Sequence, residues 1–100
     1  MTSYQEGFSL TLETLSKKLA GEGFTHTILA DRTSVLLSVE SMRVLSLNET
    51  GTFLAKAIRE GARTEADLVA ELQREFEVDE ATARRDVAEF VVDLSRYLES

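Results

Sequence analysis

His26 is the only histidine in a chain of 100 residues that contains no cysteine. A zinc or copper centre built on several imidazoles and thiolates is therefore excluded, and so is a cysteine nucleophile. His26 lies between Thr25 and Thr27 with no carboxylate close in sequence to orient it as a general base, so a structural histidine is expected. The acidic groups Glu75 with Glu77 and Asp79 with Glu80 lack the alternating oxygen ligands and central glycine of a calcium loop, and read as solvated helix ends. There is no glycine-rich phosphate loop, serine elbow or supported pair of carboxylates. No catalytic residue, metal ligand or cofactor is expected. The spacing with the clearest chemistry is Arg84 and Arg85 followed by Ala88 and Val92. On a helix these form one flank, cationic at its start and small and apolar beyond. Its guanidinium groups can pair with carboxylates, either those of the nearby Asp79, Glu80, Asp86 and Glu89 or those of a ligand.

The elements that position these residues must come from a single domain, because a second core would need more chain. Hydrophobic residues make up 43% of the sequence and charged residues 29%, enough for one small core without metal or disulfide staples. The net charge of −7 opposes attraction to a phosphate backbone, which argues against nucleic acid as the partner. The longest apolar runs, Val35-Leu36-Leu37 and Phe90-Val91-Val92, fall far short of the roughly 20 residues a membrane span needs. The start of the chain lacks the basic-then-apolar order of a secretion signal, so a cytoplasmic, membrane-free protein is expected.

Phe8, Leu12, Leu15 and Leu19 recur at helical spacing before Gly21 and Gly23, which predicts a short amphipathic helix over about 10–20. Its stripe must cover this core or a partner, and sequence does not choose between them. Residues 24–47 are the β-like part: Phe24 to Leu29 alternate, Asp31-Arg32-Thr33 offers a turn, and Val35 to Val39 and Met42 to Leu47 supply two further strands. An antiparallel meander is expected. The inward face of its third strand stays open, because Val44 lies on one side and Leu45 with Leu47 on the other. From Asn48 the pattern is helical, with caps predicted at Asn48, Thr64 and Asp79 and helices to about Arg59, Phe76 and Leu98.

These pieces occur together as Arg43-Val44-Leu45-Ser46-Leu47-Asn48-Glu49-Thr50-Gly51, Thr64-Glu65-Ala66-Asp67-Leu68-Val69 and Val78-Asp79 with Ala83, Asp86-Val87 and Phe90. The combination resembles the PqqD family over about residues 25–98. The resemblance implies an α+β, winged helix-turn-helix-like fold: a three-stranded antiparallel sheet with a three-helix bundle, here with an extra N-terminal helix. It divides the chain into an extension over 1–23 and a recognition domain over 24–100.

The resemblance also implies a non-catalytic peptide chaperone. Such a protein would bind the leader of a ribosomally made precursor peptide and present it to a modifying enzyme, often a radical SAM maturase. The leader would add as a strand along Arg43, Val44, Leu45, Ser46 and Leu47, with its side chains entering a groove beside Arg84, Arg85, Ala88 and Val92. On the helical wheel Val87, Val91, Leu94 and Leu98 face the core, while Asp86, Glu89, Asp93 and Arg96 lie on the far side. A winged-helix DNA-binding regulator is the alternative, opposed by the acidity of the last helix. A dimerisation module using the 10–20 helix is a third.

Overall fold

The protein is described here by a computed structural model, in which residues 12–62 and 64–99 are placed. Phe8, expected in the stripe of the first helix, lies outside the described residues. The order is α1 (Leu12–Ala20), β1 (Phe24–Ile28), β2 (Ser34–Ser38), β3 (Val44–Leu47), α2 (Glu49–Arg59), α3 (Glu65–Phe76) and α4 (Glu80–Glu99). This is the α+β architecture expected, with a three-stranded antiparallel sheet in the order β1-β2-β3.

Each of the last three helices starts at the cap the sequence marks. The Asn48 side chain accepts from the Gly51 amide at 2.8 Å, Thr64 from the Asp67 amide at 3.0 Å, and Asp79 from the Thr82 amide at 2.8 Å. Each bond satisfies a donor that the first turn of a helix otherwise leaves open. The bonds from Thr82 also hold the Asp79 carboxyl below its usual range. Helix α2 stops where Gly61 takes a φ of +109°, a conformation glycine adopts at little cost.

The strands alternate as half-buried strands do. Ser34, Leu36 and Ser38 of β2 face inward with Leu45 and Leu47 of β3, while Val44 is 59% exposed on the outer face. That settles the side of β3 that the sequence left open. The inner face packs on the helices through Leu36, Leu54, Ile58, Leu68, Leu72 and Leu94, each essentially inaccessible to water. Burying one such side chain contributes about 1.5–3 kcal/mol, so these few positions carry much of the folding free energy. Helix α1 adds Leu12, Leu15 and Leu19 to the same cluster, packing on α2. Its stripe therefore covers this chain's own core rather than a partner's surface.

Candidate functional site

The sheet ends at β3, and the hydrogen-bond phase fixes which of its backbone groups are turned outward. The Ser38 amide donates to the Arg43 carbonyl at 2.9 Å, making Ser38 and Arg43 a bonded pair. In an antiparallel ladder such pairs alternate. Leu45 and Leu47 are then bonded toward β2 through partners Leu36 and Ser34, and Val44 and Ser46 direct their N–H and C=O groups to the open edge. An open edge of this kind is a template for another strand.

Beside this edge runs a groove of about 430 Å³ between β3 and α4. Leu45, Ser46 and Leu47 form one side, and the buried side chains of Leu54, Phe90 and Leu94 lie behind it. Asn48, Thr50 and Gly51 close the end where α2 begins. Gly51 lies tightly against β3: a side-chain carbon there would stand 3.3 Å from Leu47 Cδ2 and 3.3 Å from Asn48 Oδ1. The predicted structural role of this stretch thus coincides with a place on the groove wall. The remaining wall is Asp86, Glu89 and Asp93 of α4. The wheel put these three on the side away from the core; the fold turns that exposed side toward β3.

The expected site residues divide between two surfaces. Arg43 precedes the edge, and Val44 through Leu47 build it. Ala88 and Val92 line a separate, shallower depression, which shares Glu89 and Asp93 with the groove. Arg84 and Arg85 line neither. The Arg84 Nε donates to Glu80 Oε2 at 2.7 Å, and Arg85 Nε lies 3.9 Å from Asp86 Oδ1. Both guanidinium groups serve ion pairs of α4 itself.

Two features of the site's support carry no plain signal in the sequence. The Tyr97 hydroxyl donates to the Arg43 carbonyl at 2.8 Å, and the Leu36 carbonyl lies 3.3 Å away, joining the end of α4 to β2 and β3. Burial pushes this phenol's pKa up. On the same helix-facing side of the sheet, His26 Nε2 is 2.9 Å from Ser34 Oγ, which is 2.6 Å from Thr52 Oγ1, a chain linking β1, β2 and α2. Ser34 and Thr52 are buried, and burial together with the Arg59 guanidinium pushes the His26 pKa down. Through this chain of hydrogen bonds His26 ties β1 to β2 and to α2. Among the described residues, no group of three or more histidine, aspartate or glutamate side chains is arranged to hold a metal ion.

The family description "Coenzyme PQQ synthesis protein D (PqqD)" matches residues 33–97, well over half of the sequence. The chain belongs to the PqqD family. The matched span runs from the end of the β1–β2 turn to Tyr97, and so contains the whole of the groove. Two solved structures resemble this PqqD-family chain. One is TbiB1 in complex with the TbiA(beta) leader peptide, at 23% identity and a TM-score of 0.67, with 77% of this chain and 87% of that one covered. The other is lasso peptide synthetase B1 complexed with the leader peptide, at 27% identity and a TM-score of 0.65, covering 77% and 88%. No curated protein sequence matches the chain.

Proposed function

We propose that this PqqD-family protein is a non-catalytic recognition module that binds the leader of a ribosomally made precursor peptide as an additional strand on β3 and presents it to a modifying enzyme. The observation that carries this reading is the open edge of Val44 and Ser46 beside the groove of about 430 Å³ between β3 and α4. Strand addition uses both parts: backbone hydrogen bonds hold the leader, and alternate side chains enter the groove and select it. The leader complexes of two proteins with this fold support the assignment. In this arrangement Arg43 through Leu47 form the docking edge, and Ala88 and Val92 receive leader residues that pass over the Glu89–Asp93 ridge. Arg84 and Arg85 meet the segment that continues toward the start of α4. The recipient enzyme is a peptide maturase, such as a radical SAM enzyme, acting in the cytoplasm. No helix among the described residues is long and apolar enough to cross a membrane.

Ser46→Pro tests this directly. Proline is tolerated on a sheet edge where its missing N–H faced outward, and it removes the donor that an added strand needs. Fluorescence anisotropy of a labelled leader of its precursor peptide is expected to show binding to the parent protein and at least about a tenfold loss in the variant, the worth of a hydrogen bond. Circular dichroism confirms that the variant folds. Undiminished binding by a folded Ser46→Pro protein would reject strand addition at β3.

A further inference from the structure

The α4 wall of the groove is built of acids. Asp86, Glu89 and Asp93 follow one another at spacings of three and four, which puts them along one side of the helix, and all three line the groove. Asp86 has Arg85 nearby at 3.9 Å, and Arg84 is engaged by Glu80. Among the described residues, no ion pair involves Glu89 or Asp93. Like charges one turn apart disfavour the helix they sit on, so a cation placed between them relieves repulsion as well as gaining attraction. Both residues also border the depression formed with Ala88 and Val92, so they stand on a ridge between two hollows.

An added strand on β3 places every second side chain on the inner face, in the row that continues Leu45 and Leu47 toward α4. An apolar residue there meets Leu45 and Phe90. A long basic side chain two positions away can lay its methylene stem over the same apolar surface and carry its charge to the ridge.

We infer that the groove selects leaders carrying a lysine or arginine two residues from an apolar anchor, with Glu89 and Asp93 receiving the cation. This rests on the edge-strand reading above and gives it a substrate class. It also reverses the charge preference that Arg84 and Arg85 suggest from sequence, because those two cations line neither hollow and pair with acids of their own helix.

A randomised linear peptide library displayed against the full-length protein tests the inference. Enriched peptides are expected to carry Lys or Arg two positions from an apolar residue. The Glu89→Gln/Asp93→Asn variant is expected to bind them about tenfold less tightly, as for loss of a charge-assisted contact, while the peptides still shift the Val44 and Ser46 amide signals. Enriched peptides that shift those amides but bind parent and variant alike would overturn the charge selection and leave strand addition standing. Peptides that bind without shifting the Val44 and Ser46 amides would overturn strand addition itself.

Discussion

The Tyr97 hydroxyl donates to the Arg43 carbonyl oxygen at 2.8 Å, fastening the last turns of α4 to the entry of β3. These are the two elements that face each other across the groove. The tyrosine ring is seated independently, with its centroid 6.0 Å from that of Phe24. The hydroxyl therefore sets the spacing of strand and helix, while the ring contributes to the core.

Tyr97→Phe keeps the ring and removes only the hydroxyl. Arg43 O retains its bond from the Ser38 amide, so the expected loss is about 0.5–1.5 kcal/mol, measured by urea unfolding. The alkaline limb should change as well. Burial raises the folded-state pKa of Tyr97 above 10.0, so the unfolded chain loses its proton first, and parent stability falls as pH rises past about 10. The variant should lack that part of the decline.

His26 gives the acid-side counterpart. Its folded pKa lies below 6.5, chiefly through burial and secondly through Arg59, so the unfolded chain takes up the proton more readily. The stabilisation is complete above about pH 6.5 and is lost as pH falls toward the folded value. Midpoints of urea unfolding measured across this range should decline for the parent and stay flatter for His26→Gln. Equal slopes for the two proteins would show that His26 titrates alike in both states.

The helices were readable because their signals are local. Asn48, Thr64 and Asp79 cap the helices they precede, and the stripes through Leu54, Leu68 and Val87 are buried as their spacing predicts. The groove was only half readable. A helical wheel tells that Asp86, Glu89 and Asp93 lie away from the core, but the flank of α4 that β3 approaches depends on how the sheet docks, which no local spacing encodes. The inward side of β3 was hidden for a related reason: Val44, Leu45 and Leu47 are all apolar, so alternation cannot rank the two faces until Leu36 and Tyr97 are in place.

Duplex DNA should not bind specifically at near-physiological salt. Helix α4 presents Glu89 and Asp93 without cationic partners among the described residues, while Arg84 is held by Glu80, so few phosphate counterions would be released on contact. Submicromolar affinity for one duplex, weakening steeply with added salt, would favour a DNA-binding regulator instead.

The most direct test of strand addition is amide hydrogen exchange at Val44 and Ser46, read by NMR with and without the leader of the precursor peptide it binds. In the free protein both amides face the open edge and should exchange quickly, whereas Leu45, bonded toward β2, should be protected. Saturating leader is predicted to slow exchange at Val44 and Ser46 specifically, with little change at Leu45. A bound leader that leaves both edge amides exchanging as before would contradict the account.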